Sequence, residues 1–115
     1  MFKFIPDTRI PDYSGSALFT AGGISVTVRC KFRHLRQTDF AAWARRECNS
    51  LSSAAEMAAH VAEVLTSWDD MTDASDNPLP CTVQSMTDLF EFYPGAYGAF
   101  VAGYSRARYA AIEKN

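Results

Sequence analysis

Ile24-Ser25-Val26-Thr27-Val28-Arg29-Cys30-Lys31-Phe32-Arg33 decides how this chain begins to fold. Side chains of an extended strand point alternately to its two faces. This stretch therefore has one apolar face (Ile24, Val26, Val28, Cys30, Phe32) and one face of hydroxyls and cations (Ser25, Thr27, Arg29, Lys31, Arg33). Such a pattern predicts a strand packed on one side and wet on the other. Just upstream, Ser16–Thr20 reads as a second short strand. Ala21-Gly22-Gly23 between them supplies the residues that tolerate positive φ, which a tight hairpin requires. Phe2–Ile5 reads as another short strand, a candidate third member of the sheet. Pro6 to Tyr13, with two prolines and two aspartates, reads as a loop.

Downstream the period changes from two to that of a helix. Thr38 is a candidate cap for a helix with Asp39 in its first turn, Phe40, Trp43 and Ala44 on one face, and Arg45 and Arg46 near its end, where the helix dipole favours cations. Asn49–Ser53 breaks it. Ser53-Ala54-Ala55-Glu56 reads as a capping box, and Met57, Val61, Val64, Leu65 and Trp68 follow at helical spacing, predicting one helix that runs to Trp68. Asp69 to Cys81 is an acidic loop. Thr82 caps a third helix carrying Val83, Met86, Leu89 and Phe90. Tyr93-Pro94-Gly95 marks a turn. A last helix spans about Ala96 to Glu113, with Tyr97, Phe100, Val101, Tyr104 and Arg108 along one stripe. The expected fold class is α+β. An N-terminal β-hairpin region (residues 1–35) packs on a bundle of three to four α-helices (residues 36–115), all in one domain.

Size and composition agree. A chain of 115 residues, 48% apolar, buries about 65% of its unfolded surface and needs no staples. No apolar run approaches the ~20 residues of a membrane span, and Met1–Pro6 is too short for a signal peptide. Cys30, Cys48 and Cys81 form no Cys-x-x-Cys pair and read as reduced thiols, so the expected location is the cytosol. The charges are sorted along the chain. Six basic residues stand between Arg29 and Arg46 against Asp39 alone, whereas Glu47 to Tyr93 holds nine acids and no Lys or Arg, within a net charge of −2. Such sorting does little for a core and suits contact with other macromolecules.

Tests for chemistry point away from an enzyme. Asp73, Ser75 and Asn77 match the first ligand spacings of a calcium loop, but its Gly falls on Pro78 and its bidentate Glu on Gln84. Asp69 and Asp70 are adjacent and do not converge on one substrate atom. His34 and His60 lack partners at a spacing that predicts a triad, and Gly22-Gly23 joins two strands, so it makes no phosphate cradle. No catalytic residue, metal or cofactor is expected. Arg29, Lys31 and Arg33, with Arg36 nearby, form a positive ridge of about 10 Å. The acidic balance of the chain, and the lack of an aromatic on that face, argue against nucleic acid and for a solvated or partner-facing strand. Trp43 and Trp68 read as core anchors. The stripe Tyr97, Phe100, Tyr104 reads either as core or as an exposed binding surface.

The order of these signals resembles the tail assembly chaperones of long-tailed bacteriophages and prophages, over nearly the whole chain. The resemblance is carried by Phe2-Lys3-Phe4-Ile5-Pro6, then Phe32-Arg33-His34-Leu35 before the helix opened by Thr38–Trp43. Val64-Leu65-Thr66-Ser67-Trp68-Asp69-Asp70 enters the acidic loop, Pro78-Leu79-Pro80-Cys81-Thr82 opens a helix, and Tyr93-Pro94-Gly95-Ala96 is followed by Tyr104. It implies a non-enzymatic protein of the bacterial cytoplasm, absent from the finished virion. Such a protein binds the tape measure protein, a long, mostly helical, aggregation-prone chain, and helps recruit the tail tube protein. A helical client calls for an exposed apolar strip flanked by charge. The expected strip is Tyr97, Phe100, Val101 and Tyr104 with Arg108 at its edge, while Arg29, Lys31 and Arg33 opposite the acidic helices orient client or self-association. The alternative is a completion or connector subunit of the tail or neck, retained in the virion. A nucleic-acid-binding regulator stands third.

Overall fold

A computed structural model describes residues 10–47 and 53–113; the candidate strand Phe2–Ile5 lies outside the described residues. The hairpin forms as its alternation requires. Strands β1 (Tyr13–Ala21) and β2 (Ile24–Phe32) pair antiparallel from Tyr13↔Phe32 to Ala21↔Ile24. Gly22 and Gly23 close it with φ of 57° and 80°, the two-residue turn whose twist matches the strands. Val28, Cys30 and Phe32 are buried and Ser25, Thr27, Arg29 and Lys31 exposed, so the two faces of β2 divide as predicted over that stretch. Beside the turn the expected apolar face is uncovered, with Ile24 exposed and Val26 half-buried. β1 starts three residues earlier than expected, because the pairing continues to Tyr13.

Helix α1 (Gln37–Glu47) begins one residue before Thr38. Ser53 caps α2 (Ala54–Ala62): its hydroxyl oxygen accepts from Glu56 N–H at 3.1 Å and its O–H donates to the Glu56 carboxylate. This helix does not reach Trp68. It stops at Ala62, and Leu65–Trp68 forms strand β3, which pairs antiparallel with β2 to give the order β1-β2-β3. The reason is a bulge. Phe32 is opposite Leu65 and Lys31 opposite Ser67, which leaves Thr66 as an extra residue. Leu65 and Trp68 are three apart, as on a helix face, yet the bulge turns both inward, where they are buried. Thr66 Oγ1 hydrogen-bonds the Lys31 carbonyl and the Asp12 carboxylate.

Thr82 caps α3 (Val83–Phe92) through Ser85 N–H. Pro94 is the first residue of α4 (Pro94–Glu113), a position where its missing N–H costs nothing, so the turn is tighter than expected. The buried faces of the helices and the inner face of the sheet form one core. α4 lies along β1 with almost no gap: a Cβ on Gly103 would stand 2.3 Å from the Ser16 carbonyl oxygen, and one on Gly15 would stand 2.8 Å from Ala107 Cβ. Both tryptophans anchor this core. Trp43 stacks on His60, with ring centroids 4.3 Å apart, and the two residues exchange hydrogen bonds. The indole N–H donates to the His60 carbonyl and His60 Nε2–H donates to the Trp43 carbonyl, which ties α1 to α2. That leaves His60 Nδ1 to accept from the Tyr97 hydroxyl of α4 at 2.9 Å. Trp68 donates to the Leu79 carbonyl and holds the acidic loop to β3.

Candidate partner-binding surfaces

The expected apolar strip on α4 is not a surface. Tyr97, Phe100, Val101, Tyr104 and Arg108 are all buried, which corrects that expectation. Periodicity identifies the face of α4 that gets covered, and its cover is this protein's own chain. Phe100 packs against Trp68 and Phe90, and Tyr97 against Phe90 and His60. Tyr104 lies among Tyr13, Phe32, Phe40 and Trp43.

Arg108 is 5% exposed and closes the far end of this core. Its guanidinium donates to the Leu35 carbonyl at 2.6 Å and to Gln37 Oε1 at 3.3 Å, and it stands 4.4 Å above the Phe40 ring. Beside it the Tyr13 hydroxyl hydrogen-bonds His34 Nδ1. Burial, and secondarily the Arg108 charge, hold His34 below its ordinary pKa. Burial pushes the Tyr13 and Tyr104 hydroxyls up, with Arg108 opposing. His34 also edges a hollow of about 260 Å³ that it shares with Ile10, Asp12, Arg33 and Thr66. Asp12 there accepts the Thr66 hydroxyl, so the hollow presents a half-engaged carboxylate and one cation.

The basic ridge stands where the sequence places it. Arg29 and Lys31 are exposed on the outer face of β2 and Arg33 is exposed just past its end, with Ser14 and Ser67 opposite Lys31 in the neighbouring strands. Its charge is partly engaged within the chain. Arg29 pairs with Asp70 at 2.7 Å, a contact that raises the Arg29 pKa further, and Arg33 donates to the Glu63 carbonyl. A residue outside the ridge, Arg46, forms a two-pronged pair with Glu63. Among the described residues, no group of three or more His, Cys, Asp or Glu is placed to hold a metal ion. The Asp73 carboxylate accepts the N–H groups of Ser75 and Asn77 and folds its own loop. Cys30 and Cys81 are free thiols pushed up to about 12 and about 11 by burial. No helix among the described residues is long and apolar enough to cross a membrane.

Several large apolar side chains are exposed among the described residues, Leu18, Ile24 and Tyr109 included, and the most exposed stands at the end of α3, which the sequence reading passed over. Phe92 is 80% exposed and Tyr93 40%. Its signal is present in the sequence: Phe92 is two residues beyond the buried Phe90, about 200° round the helix and away from its apolar face. Asp88 stands one turn before Phe92 on the same line, bonded to Gln84 one turn earlier at 3.0 Å, and Glu91 is exposed alongside. No family model, curated protein or solved structure matches this chain.

Proposed function

We propose that this protein is a non-enzymatic tail assembly chaperone of a long-tailed phage or prophage, which binds the tape measure protein during tail construction and promotes assembly of the tail tube. The observation that carries this reading is Phe92, an aromatic side chain left almost wholly in solvent at the tip of α3. With the exposed Tyr93 beside it, Phe92 forms an aromatic pair of the kind that binding surfaces use as an anchor. The ordered resemblance along the chain supplies the class of partner. The sorted charges supply a means of choosing and orienting it.

Co-expression with the tape measure protein tests the reading. Soluble client and a co-purifying complex are expected only when this chain is present. A client that is equally insoluble with and without it would overturn the proposal. Mass spectrometry of purified virions separates the chaperone from a retained tail or neck subunit, since the chaperone is expected to be missing from them.

A further inference from the structure

We infer that the Phe92 end of α3 docks a positively charged amphipathic helix, an inference that rests on the chaperone reading and gives its client segment a chemistry. The surface has three parts. Phe92, with Tyr93 beside it, offers an aromatic body large enough to lodge between apolar side chains of a partner. Asp88 and Glu91 flank it within one turn, both exposed and neither in an ion pair among the described residues. Gly95, three residues on, leaves the neighbouring surface low, because a side chain there would meet nothing within 4 Å. Phe92 and the open space at Gly95 therefore leave a partner room to approach.

Charge selects the occupant. From Glu47 to Ser105 the chain carries no Lys or Arg, so an approaching segment meets carboxylates with no nearby cation of the same stretch. A helix with an apolar face bordered by Lys or Arg satisfies both the ring and the acids, and an acidic helix is repelled. A second copy of this chain is a poorer fit, because the basic ridge it would offer is partly engaged: Arg29 is paired with Asp70, and Arg33 donates to the Glu63 carbonyl.

The test uses the full chain and two labelled peptides of about 18 residues, one a leucine–lysine amphipathic helix and the other its leucine–glutamate counterpart. The lysine peptide is expected to bind, more weakly as salt rises. Phe92→Ala and the double change Asp88→Lys/Glu91→Lys are each expected to weaken it about tenfold or more. Because these side chains are exposed, thermal unfolding of both variants is expected to match the parent. Equal binding of the two peptides, or unchanged binding by Phe92→Ala, overturns the inference. So does sedimentation showing a dimer that Phe92→Ala dissolves, since the patch would then belong to a second copy. Co-expression keeps the two readings apart. If the parent chain and Phe92→Ala solubilise the tape measure protein equally, this surface is wrong, and the chaperone reading then rests on the solubilised client instead of on Phe92. If the parent fails there yet binds the lysine peptide, the surface stands and the chaperone falls.

Discussion

Arg108 and His34 are two residues whose roles follow directly from their surroundings. Among the described residues Arg108 has no carboxylate partner, and its planar fork is held by a carbonyl, an amide oxygen and an aromatic face. Lysine keeps the charge but has neither the fork nor the flat surface. Arg108→Lys is therefore expected to lower stability by about 1–3 kcal/mol in urea unfolding. His34 gives the fold a pH dependence of definite sign. Its pKa in the folded protein lies below the ordinary 6.5, through burial first and Arg108 second, so the unfolded chain takes up the proton more readily. Stability from this residue is thus complete above pH 6.5 and lost as pH falls below it. Urea midpoints of the parent chain are expected to drop across that range more steeply than those of His34→Gln; parallel profiles would show that His34 does not contribute.

Thr66 explains at the level of elements why one strand reads as a helix. Leu65 and Trp68 both face the core only because Thr66 is bulged out between them. Deleting Thr66 leaves Leu65 and Trp68 two apart, the spacing of a regular strand. That variant is expected to fold cooperatively, at a cost of about 1–2 kcal/mol for the lost side-chain hydrogen bonds. Deleting Thr66 and Ser67 together turns Leu65 or Trp68 outward and is expected to abolish the cooperative transition, as followed by circular dichroism. The hairpin was legible because ten residues of strict alternation admit no competing period. The caps at Ser53 and Thr82 were legible too, since each rests on local chemistry, whereas Thr38 lies inside α1 and Pro94, read as a turn, opens α4. β3 was hidden because a bulge restores helical spacing. The α4 stripe was legible as a face, but a face does not report whether its cover is the same chain or another. Phe92 went unread because attention to the apolar face of α3 passes over an aromatic lying off it.

For the whole molecule, the decisive arrangement is that its first and last described elements pack together. α4 closes against β1 through Gly15, Gly103 and Ala107, and α2 and α3 pack on each other and on α4. Gly103→Ala drives a methyl group into the Ser16 carbonyl. It is expected to cost about 1–3 kcal/mol in thermal or urea unfolding, while Gly98→Ala, facing open space, is neutral or slightly stabilising. The same closure governs how the chain comes off the ribosome. Arg106 of α4 hydrogen-bonds the carbonyl of Ser16, 90 residues earlier, so the hairpin emerges long before the helix that shields it. At ordinary translation speeds that interval lasts roughly 5–20 s, during which Ala17, Val28, Cys30 and Phe32 have no lasting cover. A protein read here as a guardian of an aggregation-prone chain is therefore, while being made, briefly such a chain itself.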